Sequence, residues 1–301
     1  MNRFAKFSWF ALAWAVLDVL WGAFVRATGS GAGCGNHWPV CNGQILPSPQ
    51  HLQTFIEFTH RALSGAALLL VLALLIWGWR TYPKGSPVRI GVTGSAGFIL
   101  LEAALGAGLV LFGLVNNNNP VLTAIVVALH LLNTFILLAF LALTAWWASG
   151  GKALSLKGKG ALPVLFGIGL FGVALLGMTG AITALGDTLF PAKTLAQGLA
   201  QDSGTNASFL VRLRVIHPFI AILVGIYTLN LAGYMRGKSL PPAGRRLSLA
   251  LGGLVLAQLT AGVVNLLLLA PIWMQIVHLL LADSVWITYI LLGAATLSVT
   301  Q

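Results

Sequence analysis

The chain has 301 residues, 58% of them hydrophobic and only 8% charged, where a soluble domain carries about 25% charged residues. That composition, with a mean hydropathy of +0.91, excludes a soluble globular enzyme and implies a polytopic membrane protein. The net charge of +11 invites a nucleic-acid reading, which the placement of the basic residues removes.

Eight apolar runs are long enough to cross ~30 Å of hydrocarbon, at roughly 7–27, 54–79, 89–114, 120–147, 161–185, 210–235, 246–269 and 272–298. The first lacks a small-residue cleavage site, so no cleavable signal peptide is expected. Arg3, Lys6, Arg80, Lys84, Arg89, Lys152, Lys157, Lys159, Arg236, Lys238, Arg245 and Arg246 then share one face, 12 of the 17 basic residues. By the positive-inside rule both termini are cytoplasmic, in a multi-pass protein of the cell membrane. The basic balance reports topology, and no nucleic-acid partner is expected. Two outer loops are long, about 28–53 and 186–209, as loops with a function tend to be; those near 115–119 and 270–271 are short.

Span 1 carries Asp18 and Arg26. The loop after it holds the two cysteines, Cys34 and Cys41, around GNHWPV. An even pair this close on an oxidising face reads as a disulfide, either a staple above the first half or a redox-active pair. His37 and His51 beside it are read as solvated. Span 2 opens with FIEFTHRALSG, which places Glu57, His60 and Arg61 where ionisable groups cost of order 2.5–3.5 kcal/mol each. Glu57 and His60 share a helix face, so Glu57 is either the partner of Arg61 or a carboxyl that relays protons beside the histidine. Span 3 contributes Glu102 and span 4 His130. Span 6 contributes Arg212, Arg214 and His217, and span 8 His278 and Asp283. Asp18, Glu102 and Asp283 are read as interhelical hydrogen-bonding groups.

Residues 1–150 and 151–301 read as a duplication. FTHRALSGAALLL aligns with VIHPFIAILVGI, LEAALGAG with AQLTAGVV, and ALHLLNTFI with IVHLLLADSVWI. These pair His60 with His217, Glu102 with Gln258, Gly106 with Gly262, and His130 with His278. Four spans per half make the repeat parallel. The expected fold is an all-α integral membrane protein, eight transmembrane helices forming two pseudo-symmetric four-helix bundles. Glu57 falls on Arg214, so the two halves are not chemically equivalent.

His60, His130, His217 and His278 lie on the four spans that run inward, at ~1.5 Å per residue all about 10–15 Å below the outer surface. Imidazole is a common axial ligand of haem iron, and two pairs at one depth suggest one haem per half. Interhelical hydrogen bonding is the plainer alternative. A zinc or copper cluster lacks carboxylates or cysteines at ligand spacing around all four. Arg212 and Arg214, with Arg26, Arg61 and Lys193, are read as haem propionate partners or as cations snorkelling at the interface.

The segments VRATGSGAGCGNHWPVCNG, FIEFTHRALSG, HLLN, RVIHPF and VHLLLAD resemble heme A synthase, the CtaA/Cox15 family, over essentially the whole chain. LGDTLFPA in the third loop resembles members without a second cysteine pair there. The resemblance implies oxidation of the C8 methyl of heme O to a formyl group through successive hydroxylations, giving heme A for cytochrome oxidase. It implies that residues 1–150 hold the substrate haem between His60 and His130, with Glu57 at the reacting edge. Residues 151–301 would hold a cofactor haem b on His217 and His278, with Arg212 and Arg214 on its propionates. It also implies a Cys34–Cys41 disulfide, a homo-oligomer, heme O synthase as a partner and a membrane electron donor.

Two further classes compete. A diheme b-type cytochrome passing electrons from quinol would use the same histidines without needing Glu57 or the cysteine loop. A transporter or haem exporter is suggested by the repeat, but no span shows a midplane break. A membrane thiol oxidoreductase needs more than one cysteine pair.

Overall fold

The computed structural model describes residues 1–48, 51–116, 119–204, 209–238 and 240–298. Among them are α1 (Arg3–Ala27), α2 (Leu52–Thr81), α3 (Pro87–Leu111), α4 (Pro120–Ala148), α5 (Leu162–Leu189), α6 (Leu195–Ser203), α7 (Phe209–Arg236), α8 (Pro242–Leu267) and α9 (Ile272–Thr296). All but α6 are long and apolar enough to cross a membrane, and their ends fall within four residues of those read from hydropathy. The protein is therefore an all-helical, multi-pass membrane protein.

Local chemistry fixes the helix ends. Asn2 caps α1 by accepting from the Ala5 N–H at 2.7 Å. Ser86 and Asn119 cap α3 and α4, each followed at once by proline. Proline suits a first turn because its missing N–H would have had no partner there. The helix that hydropathy did not reveal, α6, is short and is capped by Thr194, which accepts from the Gln197 N–H at 3.1 Å.

In the first half α1 packs on α2, α2 on α3, α3 on α4 and α4 on α1. The second half repeats the ring with α5, α7, α8 and α9. Each ring places its histidine helices, α2 and α4 or α7 and α9, across a diagonal rather than in direct contact. The rings meet through α1 and α4 against α5 and α9. Phe135 stacks on Trp286 with ring centroids 4.7 Å apart, and the Trp286 indole donates to the Phe135 carbonyl at 2.6 Å. At the C-terminal end of α1, the Arg26 guanidinium reaches to the Ala184 carbonyl (2.6 Å), the Thr188 hydroxyl (2.8 Å) and the Gln275 amide oxygen (2.9 Å).

Side chains turned away from the rings are apolar. Leu69, Phe171 and Leu223 are 68%, 71% and 69% exposed, a surface that suits hydrocarbon and would drive association in water.

Candidate functional site

Each of the four intramembrane histidines rests against a glycine of a neighbouring helix. A Cβ at Gly22 would lie 3.0 Å from His60 Cε1, one at Gly180 3.0 Å from His217 Cε1, and one at Gly262 3.2 Å from His278 Cε1. At Gly106 the nearest histidine atom, His130 Nε2, would be 3.8 Å away. Three of the four imidazoles thus occupy space that any larger residue would take. Glycine lets two helices approach while a ring lies between them.

One turn before three of these glycines stands a polar residue that meets the same ring, as i and i+4 side chains share a helix face. Asp18 Oδ1 is 3.1 Å from His60 Nδ1 and also accepts from the Ser64 hydroxyl at 2.9 Å. Glu102 Oε1 is 3.2 Å from His130 Nδ1 and accepts from Thr134 at 2.5 Å, while its other oxygen accepts from Asn133 at 2.5 Å. Gln258 Nε2 is 3.2 Å from His278 Nε2. For His217 the partner is Thr179, whose hydroxyl lies 3.1 Å from Nδ1 and donates to the Leu176 carbonyl at 3.0 Å. A hydroxyl has one proton, so Thr179 accepts from His217. Asp18 and Glu102, read from sequence only as interhelical groups, are histidine partners. Asp283, also read as an interhelical hydrogen-bonding group, is fully buried on α9, and neither carboxyl oxygen has a hydrogen-bond partner among the described residues.

These residues fit a haem. Among the described residues no group of three or more His, Cys, Asp or Glu gathers to hold a bare ion. The donors come instead as two imidazole pairs across ring diagonals, the set that a flat group ligated from both faces requires. The Nε2 atoms of His60, His130 and His217 have no hydrogen-bonding partner among the described residues, because Nδ1 faces the polar neighbour. Asp18 and Glu102 stand within ion-pair distance of His60 and His130 Nδ1, but neither of these nitrogens, nor His278 Nδ1, completes a hydrogen bond among the described residues. His278 is turned the other way and meets Gln258 through Nε2. A metal-ligating histidine ordinarily has its second nitrogen held by such a neighbour.

Glu57 has the Arg61 partner that one of its two readings from sequence gives it. It is 3% exposed, accepts from the Cys34 N–H at 2.7 Å and pairs with Arg61 at 2.5 Å. Arg61 in turn donates to the His37 and Val40 carbonyls, both at 2.6 Å. Cys34 and Cys41 are bonded, and both are buried. Glu57 and Arg61 thus clamp the disulfide loop onto the N-terminal end of α2, with Glu57 three residues from His60. His37, read as solvated, supplies its backbone to the clamp.

Arg214, the position aligned with Glu57, clamps the other long loop with the opposite charge. It lies 3.2 Å from Asp187, 3.4 Å from Asp202, and donates to the Phe190 carbonyl and the Gln201 amide at 3.4 Å. Burial pushes the Asp202 carboxyl above its usual range, against the pull of Arg214. Of the outward cations read as propionate partners, Arg26, Arg61 and Arg214 therefore already have protein acceptors. Arg212 and Lys193 are exposed, and Arg212 makes contacts of its own.

A family model described as cytochrome oxidase assembly protein, COX15-CtaA, matches residues 5–290. The chain is 50% identical over 271 residues, 90% of its length, to a protoheme IX farnesyltransferase of Thermus thermophilus. It spans only 44% of that protein. Heme A synthase of Bacillus licheniformis is 40% identical over 131 residues, 43% of this chain and 40% of that one. Heme A synthase of Shouchella clausii is 41% identical over 98 residues, a third of each chain.

Proposed function

The chain belongs to the COX15-CtaA family of cytochrome oxidase assembly proteins, and from that premise we propose that it is heme A synthase, a haem-dependent membrane oxidoreductase that converts the C8 methyl of heme O to a formyl group. The observation that carries this reading is the repeated histidine cradle, two diagonal imidazole pairs each backed by glycine and a polar partner. Two sites on one scaffold with unlike roofs suit one substrate and one resident cofactor.

In this reading residues 1–150 take heme O, with His60 and His130 as its iron ligands. Residues 151–301 take haem b on His217 and His278. A methyl group needs an oxidant that side chains cannot supply, and bound haem supplies the redox chemistry. The protein's own residues orient and enclose. Asp18 and Glu102 fix the rings of His60 and His130. Glu57, with Arg61, holds the disulfide loop as a roof beside His60, and so acts on the reaction through the loop. In the second half Arg212 and Arg214 would be the cations that face the haem propionates. Both termini lie in the cytoplasm, so the histidines sit toward the outer leaflet of the cell membrane.

The Thermus relative supports heme O synthase as a partner. Its name describes the farnesyltransferase that makes heme O, and more than half of that protein lies outside the match. We read that remainder as the transferase, joined in one chain to a relative of this protein. The electron donor and a homo-oligomeric state belong to the same proposal through the family resemblance.

The test is expression in a host that makes no heme A, with and without a heme O synthase, followed by haem extraction and mass analysis. Heme A or its hydroxylated precursor appearing only with the synthase supports the reading. Haem b alone, two per chain in both cases, identifies a diheme electron carrier instead.

A further inference from the structure

The two sites share one scaffold but differ in the charge behind the histidines. In the first half both imidazoles face carboxylates, Asp18 at 3.1 Å and Glu102 at 3.2 Å. In the second half they face a hydroxyl, Thr179 at 3.1 Å, and an amide, Gln258 at 3.2 Å. Glu102 and Gln258 occupy aligned positions, each four residues before a glycine that backs the same ring.

Orientation alone does not explain the difference. Thr179 and Gln258 show that neutral groups hold the ring, whereas a carboxylate within a span costs of order 2.5–3.5 kcal/mol. A carboxylate 3.1–3.2 Å from Nδ1, even outside hydrogen-bond geometry, does something that a neutral partner does not: its negative charge favours positive charge on the ring and makes the opposite nitrogen a stronger donor. A stronger donor stabilises the more oxidised metal. Each carboxylate is also held in place, Asp18 by Ser64 and Glu102 by Thr134 and Asn133.

We propose that Asp18 and Glu102 are positioning residues that make His60 and His130 stronger electron donors than His217 and His278, so that a haem between the first pair has a lower reduction potential than one between the second. This rests on the reading that both pairs hold haem.

The test is a spectroscopic redox titration of the purified full chain loaded with haem. His60→Ala assigns the component that belongs to the first half. Asp18→Asn and Glu102→Gln are near-isosteric and remove only the charge. Each is expected to change the oxidised-to-reduced ratio of the first-half haem about tenfold at a fixed potential, an upward shift of about 59 mV for one electron. The second-half component should stay in place. Gln258→Glu adds the missing charge and should shift the second-half component downward, and this variant decides the matter if either of the others fails to keep its haem. Components that do not move, or that move together, overturn the proposal. A His60→Ala chain that keeps both components would instead overturn the haem assignment itself, a different failure.

Discussion

Gly22→Ala and Gly106→Ala form a matched pair, since both glycines back a histidine of the same proposed site. A Cβ at 22 would stand 3.0 Å from His60 Cε1, while one at 106 would stand 3.8 Å from His130 Nε2. The second distance is an ordinary contact. The first requires the ring to move by a few tenths of an ångström, and overpacking of this kind costs about 1–3 kcal/mol. Alanine also stabilises a helix by about 1 kcal/mol over glycine, but that gain is common to the haem-bound and haem-free protein and cancels in binding. Gly22→Ala should therefore weaken haem retention at the first-half site about 5- to 150-fold, at 1.4 kcal/mol per tenfold. Gly106→Ala should retain haem within about twofold and melt slightly higher through the same helix term. Haem titration of purified, stripped protein, read by difference spectra, measures both. Equal losses in the two variants, or a larger loss at 106, would refute the cradle geometry.

Other consequences concern the roof and the joint between the rings. Glu57→Ala takes the carboxylate from the half-buried Arg61 and the Cys34 N–H, and because Arg61 keeps two carbonyl acceptors the cost should fall below the about 3–5 kcal/mol of a fully buried pair. The thermal midpoint should fall and the Cys34–Cys41 bond should become more accessible to a membrane-impermeant reductant, with Glu57→Gln intermediate because it still accepts from Cys34. An unchanged reduction rate in both would remove the clamp. Arg26→Ala severs three hydrogen bonds to α5 and α9 and should lower the thermal midpoint without changing the first-half haem spectrum; a midpoint equal to wild type would show that Arg26 does not join the rings. Replacing both Cys34 and Cys41 by serine tests the loop directly. An unaffected turnover under oxidising conditions would leave the disulfide a staple.

The eight spans were legible because a bilayer allows only long apolar helices, and hydropathy reads those directly. The places of the histidines, each within about ten residues of its helix's start, followed from the same spans. The short α6 was hidden because nine residues of mixed polarity carry no membrane signal, and Thr194 as a cap was its one trace. Partners across helices were hidden for a different reason: spacing along one helix does not say which neighbour it faces. Asp18 and Glu102 therefore looked like unassigned acids, although a polar residue four positions before Gly22, Gly106 and Gly262 was a repeat waiting in the sequence. Glu57 was judged from its nearness to His60, while its bond to the Cys34 backbone depends on how the outer loop folds back. The cations suffered the same way, since half of the acceptors for Arg26 and Arg61 are backbone carbonyls that no side-chain pattern reveals.

The account stands on two haem sites with different fates, one for substrate and one for cofactor. Its most direct test is mass analysis of haems extracted from His60→Ala and His217→Ala chains, each expressed with a heme O synthase. His60→Ala should carry haem b alone, and His217→Ala should carry heme O that is not converted. The same haem content in both variants, or heme A from His60→Ala, would contradict the assignment of substrate to the first half.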